Sequence, residues 1–104
     1  VQLSLDDVPV LDGTLECLER KIFSSLHQDN SQVASTIQNT EAYSNNPFYE
    51  LLFDPQTAGG LLASLPEKCA SDCLSELRKN GYPYAAAIGR VSSVNAETPT
   101  IILK

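Results

Sequence analysis

LLFDPQTAGGLLASLP, residues 51–66, is the stretch on which the reading of this chain turns. An apolar run meets Asp54-Pro55-Gln56-Thr57, then Ala58-Gly59-Gly60, and becomes apolar again at once. Pro55 fixes its own φ and pushes Asp54 towards extended backbone. Gly59 and Gly60 can take positive φ and let another group approach bare backbone. Successive free N–H groups in such a turn form a concavity that suits an anion. Thr57 adds a hydroxyl, and Gln56 both a donor and an acceptor. Two readings stand on the residues alone: a loop shaped to receive an oxyanion or a neighbouring backbone, or a tight bend in which Asp54 and Thr57 cap their own loop.

Outward from the loop, Gly60 to Leu65 is a short, nearly continuous apolar run and predicts a buried strand. Pro66 and Glu67 suit the first turn of a helix. Its predicted buried face is Cys69, Ala70, Cys73, Leu74 and Leu77, with Arg78 and Lys79 in the last turn and Asn80-Gly81 as the left-handed stop. Towards the N-terminus, Pro47 opens a short helix through Leu52 that buries Phe48, Leu51 and Leu52. The polar tract from His27 to Asn46 predicts a short helix around Ser31 to Gln38 between loops, with His27 in a polar loop. Before it, Leu15, Leu18, Ile22 and Leu26, widened by Cys17 and Phe23, form a helical stripe of about three turns, with Asp12 or Thr14 as cap. Val1 to Leu5 alternates as a half-buried strand. Ala85 to Val94, with Gly89 inside it, and Thr100 to Leu103 are the closing strands, joined by a turn at Asn95 to Pro99. Strands and helices in this order predict an α+β layer: a small mixed or antiparallel sheet of about four strands, hairpin-like at its end, with helices on one side.

The 104 residues suit one domain or part of one. Hydrophobic content of 42% with 19% charged residues fits a folded, soluble chain. Seven basic against thirteen acidic residues, net −6, argue against nucleic acid or an anionic membrane as partner. No apolar run approaches the roughly 20 residues that cross a bilayer. Three cysteines, Cys17, Cys69 and Cys73, are an odd count, with the last pair at helical spacing, which predicts buried reduced thiols and a cytoplasmic location. A zinc site needs more ligands than these and the single His27 provide, and Asp6-Asp7 reads as a turn. The chain contains no Met and begins with Val, which predicts a piece of a longer protein, incomplete on its N-terminal side.

The long motif, followed by a helix and AAAIGRV (85–91), resembles the C-terminal part of selenide, water dikinase (selenophosphate synthetase). VQLSLDDVPVLDGTLECLERKIFSS (1–25) is similar to the segment after the family's glycine-rich turn. NTEAY (39–43) is similar to its variable polar stretch, and AAAIGRV with TIILK (100–104) to its closing strands. FSSLHQDN (23–30) and the long motif most resemble cyanobacterial-type bacterial members. The usual motif has Ser where this chain has Ala58, so a side-chain contact at that position is lost and the backbone role is kept. The resemblance implies that residues 1–104 are one C-terminal domain of the kind found in the aminoimidazole ribonucleotide synthetase-like fold. It implies a homodimeric parent that makes selenophosphate, AMP and phosphate from selenide, ATP and water with Mg²⁺. It also implies an N-terminal ATP-binding domain of the same chain as partner. The family's reactive Cys or selenocysteine, its neighbouring Lys and its metal-binding aspartates lie N-terminal to this segment. No catalytic or metal-ligating residue is therefore expected here, and this piece alone is expected to be inactive. The residues expected to meet phosphate or selenophosphate are Asp54, Gln56, Thr57, Gly59 and Gly60. A dimerisation or packing module, and the C-terminal domain of a thiamine-monophosphate kinase or aminoimidazole ribonucleotide synthetase type of enzyme, are the alternatives.

Overall fold

The computed structural model describes residues 1–56, 59–93 and 101–104. Its centre is a sheet built from very short strands. β1 (Gln2–Leu3) pairs in parallel with β4 (Ile101–Leu103) on one edge and antiparallel with β3 (Gly89–Arg90) on the other. β2 (Ile37–Gln38) pairs in parallel with the far edge of β4, giving the order β2-β4-β1-β3. Bonds beyond the strands lengthen this ladder: Ser4 N donates to Ile88 O at 2.9 Å and Lys104 N to Leu3 O at 2.8 Å. The fold is α+β with a four-stranded mixed sheet, as the pattern predicts.

The membership of the sheet differs from the expectation in two ways. Gly60–Leu65 is not a strand, and the fourth strand comes instead from Ile37–Gln38, inside the tract expected to be helical. The closing strands do not form a hairpin either, because β1 lies between β3 and β4. The expected turn at Asn95 to Pro99 lies outside the described residues, as do Val94 and Thr100. Gly89 permits the close approach of β3 to β1, since a Cβ there would run into the carbonyl oxygen of Gln2 and lie 3.2 Å from Leu3 Cα.

Asn39 extends the β2–β4 ladder by a side chain. Its backbone turns left-handed (φ 56°), and its amide then faces Leu103. Nδ2 donates to Leu103 O at 2.9 Å, and Leu103 N donates to Oδ1 at 3.1 Å. One Asn side chain thus does what the next residue of a strand would do. Under this ladder lies the core: Leu5, Ile37, Phe53 and Leu103 are buried, with Leu3, Ala34, Tyr43, Phe48, Tyr49, Leu52 and Ile101 packed around them.

The helices are short: α1 (Thr14–Glu19), α2 (His27–Asn30), α3 (Thr40–Tyr43) and α4 (Ala70–Lys79). 3-10 turns cover Leu5–Asp7, Ser31–Thr36, Tyr49–Phe53 and Glu67–Cys69. The turn at Tyr49–Phe53 stands where Pro47 announced a helix, but it buries Phe53 and leaves Phe48, Leu51 and Leu52 half-buried. α4 ends as predicted. Gly81 is left-handed (φ 94°), Tyr82 N bonds Leu77 O at 3.0 Å, and Gly81 N bonds Arg78 O at 3.3 Å, which is the Schellman arrangement. α1 closes with the same two bonds, Ile22 N to Cys17 O and Lys21 N to Leu18 O, each 2.9 Å. Here the left-handed residue is Lys21 (φ 54°) instead of a glycine. α1 consequently stops well short of the predicted three turns. Neither Asp12 nor Thr14 caps it with a side chain; Gly13 occupies the cap position.

Much of the apolar pattern has nothing over it. Leu15, Ile22, Phe23 and Leu26 are exposed, and Cys17 and Cys69 are exposed thiols, while Cys73 is half-buried. The expected burial of Cys17 and Cys69 therefore fails, as does that of Leu77 on α4. The chain exposes 8244 Å² of surface, whereas a folded monomer of this mass is expected to show about 5,700 Å². Short helices lying on a small sheet cannot bury every stripe that their periodicity announces.

Candidate functional site

The loop begins where the core ends. Phe53 is 3% exposed, and it closes the 3-10 turn. Asp54 follows with extended backbone (φ −69°, ψ 125°), as a residue before proline should. Asp54 N donates to Leu51 O at 3.2 Å, so the first amide of the loop is already engaged. Asp54 and Pro55 are half-buried, and Gln56 is exposed. The Gln56 side-chain amide donates to the Asp54 carboxylate. Two of the predicted site residues are thereby brought together and bonded to each other.

Gly59 and Gly60 are exposed. Neither takes a positive φ; among the described glycines only Gly13 and Gly81 do. The left-handed freedom read from the sequence is thus not used. Close approach is used instead, at Gly59: a Cβ there would lie 2.9 Å from Gln56 Cβ and 3.4 Å from its Oε1. Gly59 thus lies close against the Gln56 side chain. Gly60 has open space around it. Thr57, also expected at the site, lies outside the described residues, as does Ala58.

Among the described residues, no hydrogen bond engages the backbone of residues 59–65. The amides of Gly59 and Gly60 are therefore not consumed by strand pairing with described residues. The same holds for the apolar run that follows, where Leu61 is fully exposed and Leu62 is 82% exposed. Two concave surfaces among the described residues lie away from the loop. One shallow cleft of about 450 Å³ runs along the β1–β3 edge past Ser4, Gly89, Arg90 and Lys104. Another of about 480 Å³ is lined by Phe23, Ser24, Ser25, Gln28, His27 and Glu50. Asp54, Gln56, Gly59 and Gly60 line neither.

What the sequence pattern missed is how the loop is rooted. His27 was expected in a polar loop; it is 7% exposed, and its ring centroid lies 4.3 Å from that of Phe23 and 6.0 Å from that of Phe53. Its Nε2 meets the Glu50 carboxylate at 2.9 Å. One turn on, Asn30 Nδ2 donates to Phe53 O at 3.0 Å. Polar composition hid these contacts, because no periodicity marks a histidine that packs against Phe53 and Glu50, both distant in sequence, as well as against the nearby Phe23. Among the described residues, no three His, Cys, Asp or Glu side chains come together to hold a metal ion. No helix among them is long and apolar enough to cross a membrane.

No family model matches the sequence, and no solved structure matches it. Curated proteins do. A selenide, water dikinase of Clostridium botulinum (strain Alaska E43 / Type E3) is 36% identical over 91 residues, which are 88% of this chain and 26% of that protein. The selenide, water dikinase of Agathobacter rectalis is 36% identical over 86 residues, 80% of this chain and 24% of that protein. That of Desulfitobacterium hafniense (strain Y51) is 48% identical over 50 residues, 48% of this chain and 14% of that protein. The chain spans about a quarter of the length of the first two. Agreement across most of the chain with several proteins of one name makes it a homologue of the C-terminal part of selenide, water dikinase.

Proposed function

We propose that this chain serves as the C-terminal domain of a selenide, water dikinase, and that its parent makes selenophosphate from selenide, ATP and water, releasing AMP and phosphate. The observation that carries this reading is the likeness to selenide, water dikinases over 88% of the chain. In this reading ATP and Mg²⁺ are bound by the parent. In the same reading, the reactive groups and the Mg²⁺ ligands come from an N-terminal domain of the parent. The contribution of this domain is the Asp54–Gly60 loop, which closes a phosphate or selenophosphate pocket with the amides of Gly59 and Gly60 and the polar ends of Gln56 and Thr57. Backbone N–H groups suit this task because they are fixed dipoles that do not titrate. In the cytoplasmic homodimer that we propose, the N-terminal domain also covers apolar surface that is bare here, Leu61 and Leu62 foremost.

The test is to titrate inorganic phosphate, and separately ATP with Mg²⁺, into ¹⁵N-labelled protein. Shifts centred on Gly59 and Gly60 that saturate with ligand are expected. A loop that stays still while other amides move would overturn its assignment as a pocket wall. A second reading, a packing module without ligand contact, is favoured by the exposure of Leu61 and Leu62. It predicts a silent loop together with association that grows with concentration.

A further inference from the structure

Two rungs join α2 to the 3-10 turn that launches the loop. His27 and Asn30 stand three residues apart on α2, and Glu50 and Phe53 stand three apart on the turn. His27 Nε2 meets Glu50 at 2.9 Å, and Asn30 Nδ2 holds Phe53 O at 3.0 Å. On a helix, side chains three apart are neighbours, so His27 and Asn30 send both rungs from one side of α2. Neither element can persist by itself, since α2 with the 3-10 turn at Ser31–Thr36 that continues it, and the turn at Tyr49–Phe53, are both shorter than the length at which helices hold in water. Each depends on the other. The His27 ring is buried and packs against both Phe23 and Phe53.

Phe53 O is the last carbonyl before Asp54, so the Asn30 rung acts at the root of the loop. We infer that His27 and Asn30 are positioning residues: the clamp that they form with Glu50 and Phe53 sets the direction in which Asp54, Gln56 and Gly59 leave the core. This inference rests on the reading of the loop as an anion site, because direction matters only if the amides must meet a ligand. None of the four clamp residues needs to touch that ligand.

The test compares ¹⁵N spectra of the full chain with those of Asn30→Ala, His27→Leu and Glu50→Gln, and titrates each with inorganic phosphate. Gly81→Ala is the control, since it strains the left-handed end of α4 away from the clamp. In Asn30→Ala and His27→Leu, the amides of Asp54, Gln56 and Gly59 are expected to move before phosphate is added. Their phosphate affinity should fall about threefold to tenfold, the equivalent of one lost hydrogen bond. Glu50→Gln keeps an acceptor for the ring nitrogen and should stay close to wild type, and Gly81→Ala should leave the loop amides unmoved. Undiminished phosphate response in Asn30→Ala and His27→Leu, with wild-type loop shifts, would overturn the clamp alone. A wild-type loop that ignores phosphate would overturn the anion reading, and the positioning role with it.

Discussion

Asn39 offers the sharpest test of how this sheet is held. Its left-handed backbone and its two bonds to Leu103 can be separated by choice of substitution. Asn39→Gly keeps the conformation and removes both bonds. At about 0.5–1.5 kcal/mol net per bond, the loss is about 1–3 kcal/mol. The upper part of that range applies if water cannot reach the orphaned groups, and Leu103 is only 1% exposed. Asn39→Ala removes the same bonds and keeps a Cβ in the left-handed region without the short polar side chain that lets Asn adopt it, adding about 1 kcal/mol. Asn39→Asp keeps an acceptor for Leu103 N but sets a carboxylate oxygen against Leu103 O, so it should lose more than a single bond. Urea denaturation followed by circular dichroism reads these differences. At a slope of about 1–2 kcal/mol per molar, a loss of about 2 kcal/mol lowers the midpoint by about 1–2 M. A chain of this size has about 5–15 kcal/mol in all, so the effect is large. A midpoint for Asn39→Gly within error of wild type would refute the role of the amide. Equal midpoints for Asn39→Gly and Asn39→Ala would refute the conformational part.

Three other outcomes are expected. Gly89→Ala should cost about 1–3 kcal/mol, because the new methyl meets the backbone of β1 with no room to turn aside; an unchanged urea midpoint would show that β3 does not pack so closely on β1. Lys21→Gly should stabilise by about 0.5–1 kcal/mol, since glycine takes the left-handed end of α1 without a Cβ penalty, and a lowered thermal midpoint would contradict this. Gly59→Ala should leave global stability within about 0.5 kcal/mol, as surface changes do, yet displace the Gln56 side chain from Asp54. The Gln56 side-chain amide signal reports that displacement, and its persistence at the wild-type position would argue against the close approach of Gly59 to Gln56.

Where bonds stay within a few residues, the chain was legible. The end of α4 at Asn80-Gly81 and the extended Asp54 before Pro55 follow from local sterics and appear as read. The helical element expected after Pro47 appears as a 3-10 turn that buries Phe53 instead of Phe48, Leu51 and Leu52. The α+β class was legible as well, and so was the family likeness carried by residues 51–66. Which apolar run joins the sheet was not. Gly60–Leu65 carries the apolar pattern of a buried strand and Ile37–Gln38 sits in a polar tract, yet only the second meets β4, with Asn39 able to turn left-handed and continue the ladder. The burial of His27 was equally hidden, because it depends on Phe23, Glu50 and Phe53 arriving at one place. Local sterics are written residue by residue, and the amino-acid sequence determines them unaided. Strand partnership and the rooting of the Asp54–Gly60 loop depend on groups far apart along the chain, whose meeting only tertiary packing decides.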